Sequence, residues 1–449
     1  MNLTEAPSSI PLPDPTFDPA RAFLDAALAG KNIFLSGMAG TGKTTLLRKF
    51  IDADDDDAVF WRDVDVVAPT GVAALNIGGM TIHRWCGMLL GPASGQRDPT
   101  ETNEEYYRWL RDQQYRSILR GFERVRYCKI LVIDEISMLP GRQLEFVEWL
   151  FRKLRHDDRP WGGCQVIVVG DFLQLAPVKK DDSLPYDWAF KHEVWDRSGF
   201  TPILLEKIHR QNEVDFIAAL CGVRSNCLSE RSKAVLYGRI ANFPSEEIPR
   251  LFTHNAQVDR WNSQCLGSLA TDARTFLGRR MGDPKNADFL ADNVMCPEEL
   301  ILKVGAQVMT TVNDSEGRYV NGTIGHVVGF DDGAIQIEDK LGRDFWVEPF
   351  TWSYGKESEQ GFAQYTQFPL RLAYALTIHK CQGLTMDEAY IDVRAARAPG
   401  QTYVALSRVR TLAGLHLKDW ANWIYASDDA LAFYARMRKA QQAAADTSH

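Results

Sequence analysis

The chain has 449 residues, 45% of them apolar and 24% charged, with a formal net charge of −8. That length exceeds one ordinary core and predicts two or three domains of a soluble globular protein. The acidic balance excludes a basic protein that coats nucleic acid indiscriminately, but a groove needs only a local positive funnel.

No run of about 18 apolar residues occurs, so no membrane-spanning helix is expected, and cytoplasmic residence is the default expectation (nucleoid-associated in a bacterium). The eight cysteines, at 86, 128, 164, 221, 227, 265, 296 and 381, form no CxxC pair. Neither zinc nor a disulfide framework is indicated.

Residues 1–18 are proline-rich and expected to be flexible. From there to residue 205, short β-branched runs alternate with helical stretches: 32–36, 65–68, 129–134, 165–170 and 202–205. Near-continuous apolar strands of this kind belong to a parallel sheet covered on both faces, so residues 19–205 are read as a first α/β lobe. The acidic run at 52–57 reads as a solvated turn. Between 85 and 127 a Gly/Pro loop, GPASGQRDPT, leads into a charged, aromatic helical segment, read as an insertion.

A second lobe is expected over 206–304 and 366–432, with strands at 250–253, 373–377, 389–393 and 415–417. Residues 305–365 change to short strands with turn signals, as in a small β-barrel inserted into that lobe. Residues 433–449 are read as a C-terminal tail.

The strongest signal is GMAGTGKT, which follows the strand NIFLS and opens a helix. It fits the G-x-x-x-x-G-K-[ST] phosphate loop in the context that confirms it. Gly37, Met38, Ala39, Gly40, Thr41, Gly42, Lys43, Thr44 and Thr45 are the expected nucleotide-binding residues. The glycines let backbone N–H groups face the phosphates at a helix N-terminus. Lys43 is expected on the β- and γ-phosphates and Thr44 on Mg²⁺. Some 90 residues later ILVIDEIS places Asp134 and Glu135 at the tip of an apolar strand, costly unless a cation is near. Asp134 is the expected Mg²⁺ partner and Glu135 the general base. Gln174, after the strand VIVVG, carries a neutral amide able to report a γ-phosphate.

A phosphate loop alone does not separate a motor from a kinase or switch. Arg210 in EKIHRQ and Arg408 in GQTYVALSRVR are candidate arginines reaching a phosphate site from another lobe, which makes hydrolysis conditional on closure. In order, GMAGTGKT, APTGVAALNIGGMTIH, VIDEISML, GDFLQLAPV, HRQ, LFTHN, TIHKCQG and YVALSR resemble the motifs of superfamily 1B helicases. The segment 151–175 is similar to the signature of the petite-integration-frequency family within them.

The resemblance implies two RecA-like parallel-sheet lobes, a strand-separating wedge at the 85–127 insertion, and a Src-homology-like barrel at 305–365. It implies an ATP- and Mg²⁺-using 5′→3′ DNA helicase of replication, repair or recombination. The expected partners are single-stranded DNA and single/double-strand junctions, and the expected state is a monomer. A strand-stripping translocase and a P-loop switch that binds proteins are the alternatives.

Hydroxyls and amides at strand-to-helix turns suit phosphate contacts, which position a strand without reading it. By resemblance Thr70, Gly71, Thr81, His83, His254, Asn255, Thr377, His379, Lys380 and Gln382 line one DNA groove across both lobes. Tyr106, Tyr107 and Trp109 have faces able to stack on bases, but packing of the insertion is the preferred reading. The chain departs from many relatives in lacking an adenine-reading glutamine before the loop, and in carrying Cys381 and Ala176 where serine and proline are common.

Overall fold

The computed structural model describes residues 18–51, 64–88, 102–112, 116–179, 183–240, 245, 247–331, 333–354, 361–419 and 426–446. The N-terminal stretch before residue 18, the acidic run at 52–57, the loop at 91–100 and the side chains of Tyr106 and Trp109 lie outside these residues.

The first lobe is a six-stranded sheet of β1 (Ile33–Gly37), β2 (Val64–Ala68), β3 (Met80–Thr81), β4 (Ile130–Ile133), β5 (Gln165–Gly170) and β6 (Thr201–Leu205). The strand order is β3-β2-β4-β5-β1-β6 and every pairing is parallel. Period-2 alternation explains why these strands are apolar throughout. Phe34, Leu131, Ile133, Val166 and Val168 enter one core, while Ile33, Leu35, Ile130, Val132, Ile167 and Val169 enter the core on the opposite face. A sheet buried on both sides needs both sets. β3 is two residues long, too short to register as an apolar run.

The insertion contributes helices Asn103–Asp112 and Arg116–Tyr127. Ile118, Phe122 and Val125 enter the first lobe's core. Tyr107 packs against Phe122 and Trp149, with centroids 5.4 and 5.5 Å away.

The second lobe has a four-stranded parallel sheet in the order Ala375–Thr377, Arg250–Phe252, Ala389–Ile391, Leu415–Leu417. Antiparallel strands span a wider stretch than the expected 305–365: they begin at Arg274–Leu277 and end at Leu370–Leu372. The cause is visible in one core. Leu300 and Leu302 pack with Val308, Val327, Ile337 and Leu370, so the strand Glu299–Leu302 belongs to the insert.

The C-terminal segment also differs from the expectation. A helix runs Asp428–Asp446, through most of the expected tail, and it packs on lobe one rather than lobe two. Ala430, Phe433 and Tyr434 enter the first lobe's core, with Phe433 stacked on Phe190 at 4.5 Å. Its anchoring apolar face is short, which is why the alanine- and charge-rich remainder reads as a tail.

Candidate functional site

In an open α/β sheet, ligands gather beyond the carboxyl ends of the strands. Here β4, β5 and β1 are neighbours, so Asp134, Asp171 and the loop 37–44 meet at one edge. Gly40 and Gly42 have φ of 78° and 86°, the left-handed region that glycine enters without strain. Gly40 has a second reason to lack a side chain: a Cβ there would lie 2.6 Å from Arg210 Cβ.

Lys43 is half-buried and donates to the carbonyls of Gly37 (2.7 Å) and Met38 (3.0 Å). Burial lowers its pKa against the pull of Asp171, Glu135 and Asp134. Thr44 and Thr45 are exposed at the start of the helix Lys43–Ile51. Burial raises the pKa of Asp134, with Lys43 opposing. Burial and the adjacent Asp134 carry Glu135 up to about 7. Glu135 also holds φ 51°, a strained backbone for a non-glycine residue and a feature that clusters at functional sites.

Lobe two is seated on the loop. The N–H of His209 donates to the Gly40 carbonyl at 2.8 Å, and the N–H of Ala39 donates to the Tyr403 hydroxyl at 2.9 Å. Arg210 donates to the Ser407 carbonyl at 2.9 Å, and burial beside Arg408 presses its pKa down to about 9. Arg408 is buried within lobe two, donating to the carbonyls of Val404 (2.8 Å) and Cys381 (3.5 Å) and to Ser407 Oγ (2.8 Å). It is near enough to Glu135 to oppose that residue's pKa rise, yet its guanidinium is committed to its own lobe. Gln174 is buried, its amide 3.4 Å from Asp171 Oδ2.

A cleft of about 600 Å³ joins this edge to lobe two. Its wall includes Thr44, Asp134, Glu135, Thr70, His379, Lys380 and Gln382. Thr70 caps the helix Gly71–Asn76, accepting the Ala73 N–H at 3.3 Å. Thr377 is buried and accepts the Lys380 N–H at 3.3 Å, fixing the turn that presents His379 and Lys380. Partial desolvation lowers the pKa of both. His254 and Asn255 are exposed where the helix Asn255–Ser268 begins, and His254 is close enough to depress His379 further. Thr81 and His83 lie outside the cleft wall. Both are buried in lobe one, where the Thr81 hydroxyl accepts the Arg84 N–H at 3.4 Å.

Several participants carry no local sequence signal. Asn293, Asn313, Asn321 and Trp352 of the insert also line the cleft. The helix Pro284–Asn293 sits over the first lobe so closely that a Cβ on Gly71 would collide with Asn293. Arg84 bridges the same junction, its guanidinium 4.2 Å from the Phe289 ring and 4.1 Å from that of Tyr354.

A buried carboxylate and an exposed threonine hydroxyl, both on one cleft beside a phosphate-type loop, form a hard-oxygen set that fits Mg²⁺ shared with phosphates. The comparisons agree with that chemistry. A family model for PIF1-like helicase matches residues 22–219. The chain is 36% identical over 398 residues to the ATP-dependent DNA helicase Pif1 of Bdellovibrio bacteriovorus, covering 88% of this chain and 86% of that one. The crystal structure of Bacteroides sp Pif1 in complex with ADP-AlF4 superposes with a TM-score of 0.80 at 31% identity, covering 94% of this chain and 97% of that one. Bacteroides Pif1 bound to ssDNA gives 0.62 at 31% identity, covering 95% and 97%. The chain belongs to the PIF1-like helicase family.

Proposed function

We propose that this chain, an ATP-dependent DNA helicase by its family, translocates 5′→3′ on single-stranded DNA by closing its two lobes around nucleotide. The observation that carries the reading is the single cleft whose wall joins Thr44, Asp134 and Glu135 to Thr70, His379, Lys380 and Gln382. Hydrolysis and strand grip share a boundary there, so closure over one alters the other.

In this reading Lys43 leaves its loop carbonyls for the β- and γ-phosphates. Glu135, with a pKa poised near neutrality, takes the proton of the attacking water. Gln174 senses the γ-phosphate, and Arg210, already against Gly40, brings lobe two's charge to the loop. Arg408 needs a rearrangement before it can join. Thr44 and Asp134 would hold Mg²⁺, which when bound neutralises phosphate charge. His379, Lys380 and Gln382 grip the strand opposite Thr70. We assign the enzyme to DNA replication, repair or recombination, working in the cytoplasm as a monomer. Among the described residues no helix is long and apolar enough to cross a membrane.

The test is ATPase and unwinding on matched 5′- and 3′-tailed duplexes of DNA and RNA. Strand separation of the 5′-tailed DNA alone is expected. Unwinding only from a 3′ tail removes the polarity, and ATPase indifferent to single strands removes the motor.

A further inference from the structure

Asp171 is the residue after β5 and is fully buried. Burial alone would raise its pKa, yet Arg224 and Lys43 hold it below the ordinary value. Among the described residues, five donors reach its two oxygens. Arg224 donates from Nη2 to Oδ1 at 2.8 Å and from Nε to Oδ2 at 3.0 Å. The Leu173 N–H reaches Oδ1 at 3.1 Å, the Tyr434 hydroxyl reaches Oδ1 at 3.2 Å, and the Gln174 amide nitrogen lies 3.4 Å from Oδ2.

These donors come from three parts of the molecule. Leu173 and Gln174 belong to lobe one. Arg224 ends the helix Val214–Arg224, whose Phe216, Ala219, Leu220 and Val223 are in the lobe-two core. Tyr434 belongs to the C-terminal helix. Its phenol also lies 2.6 Å from Ser36 Oγ and accepts the Phe172 N–H at 3.2 Å. The hydrogen-bond roles close: the hydroxyl donates to the carboxylate and accepts from Ser36 and Phe172. Ser36 precedes Gly37, whose carbonyl holds Lys43, so one phenol supports the roots of both the phosphate loop and the Gln174 segment.

An ionised carboxylate only accepts, so it dictates that Gln174 turns its NH₂ end toward Asp171. Lobe two also touches the Gln174 backbone. A Cβ on Gly400, which has φ +74°, would collide with the Gln174 carbonyl. The side chain of Gln174 is therefore set by Asp171, whose two-pronged partner Arg224 arrives with lobe two, and its main chain is packed against Gly400 of lobe two.

We infer that Asp171, Arg224 and Tyr434 are positioning residues that fix the orientation of Gln174 when the lobes are closed. The inference rests on the reading of Gln174 as the nucleotide sensor. It makes the C-terminal helix part of the ATPase and turns lobe closure into a condition for sensing.

The experiment measures steady-state ATPase of the full chain with saturating single-stranded DNA. Tyr434→Phe deletes only the hydroxyl and is expected to lower kcat about three- to tenfold, with KM for ATP within about twofold. Arg224→Lys keeps the charge but loses the two-pronged fork, and a kcat loss of similar size is expected. Gln174→Ala supplies the decisive arm: adding Tyr434→Phe to it should produce little further loss, since residues acting through one group are non-additive. Phe433→Leu controls for helix docking and should lower thermal stability while leaving kcat per folded molecule near its original value. Independent, multiplying losses in the double variant overturn the inference, as does a Tyr434→Phe enzyme with unchanged kcat. An unchanged kcat in Gln174→Ala alone overturns the sensor reading itself, and the inference with it.

Discussion

The Tyr403 hydroxyl of lobe two accepts the backbone N–H of Ala39 in the phosphate loop at 2.9 Å. Tyr403 is 2% exposed, so the bond is dry, and it ties a phosphate-loop amide to the opposite lobe. Tyr403→Phe leaves that N–H without its partner, which costs about 1–3 kcal/mol. Chemical denaturation of the nucleotide-free variant should show the loss. Saturating nucleotide should recover much of it, because a bound phosphate takes the freed N–H and stabilises the folded state by mass action. A variant as stable as the parent without nucleotide would show the bond to be inconsequential.

Lys43→Ala and Glu135→Gln separate chemistry from grip. Removing a general base typically costs about 10²–10⁴ in rate. Phosphate release should fall by at least the lower figure in each variant. Fluorescence anisotropy should find single-strand affinity changed by no more than about threefold, since neither side chain contacts the strand in this reading. Loss of strand binding equal to the loss of turnover would mean that the two ends of the cleft are one structural unit.

Lys380 is exposed on the cleft wall, in a turn held by Thr377. If it meets a backbone phosphate, its neutralising role releases counterions. Lys380→Ala should then weaken DNA binding uniformly across sequences. The slope of log affinity against log salt should become shallower by about 0.7, the single-strand value per contact. An unchanged slope with weaker binding assigns Lys380 to shaping the turn instead.

His192 provides a pH-dependent clamp within lobe one. Its Nε2 lies 2.6 Å from Asp187 Oδ1 and its Nδ1 lies 3.2 Å from Glu145 Oε2. The hydrogen bond to Asp187 is the largest influence raising the imidazole pKa. A pKa raised by folding means the folded state binds the proton more tightly. The stabilisation is thus fully present below the unfolded value of about 6.5 and disappears as pH rises through the folded value. His192→Asn should destabilise the chain more at about pH 6 than at pH 9, read as midpoints of thermal unfolding. An equal loss at both would assign the residue's contribution to packing against Gly141, where its ring fills the space of a Cβ.

Much of this architecture was legible because it is local. A phosphate loop between strand and helix, and apolar runs ending in Asp134–Glu135 and Gly170–Asp171, are contiguous signals whose physical meaning is complete within ten residues. What escaped is either too short or too distant. β3 has two residues. Arg224 and Tyr434 meet Asp171 across 53 and 263 residues, and nothing beside either one announces its partner. The insert's start was hidden for another reason. Its strand Arg279–Gly282 is exposed throughout, so the alternation that marks a half-buried strand is absent. His83 carries a signal of another kind: its motif suggests a strand contact, while in the structure it is buried in lobe one, where burial lowers its pKa, and it is not part of the cleft wall.

Arg84 lies against both the Phe289 and the Tyr354 rings, and these contacts help hold the insert's helix Pro284–Asn293 over Gly71. If, as proposed, a strand lies against Thr70 and Gly71, it meets the space that Asn293 fills, and the insert moves aside as the strand enters. Each cation–π contact contributes about 0.5–2 kcal/mol, and Arg84→Ala removes both at once. The cost of moving the insert falls accordingly. Stopped-flow binding of a labelled single strand should therefore show association accelerated severalfold, while nucleotide binding without DNA stays near its original value. Slower association would instead place Arg84 on the strand itself, as a cation lost from the track.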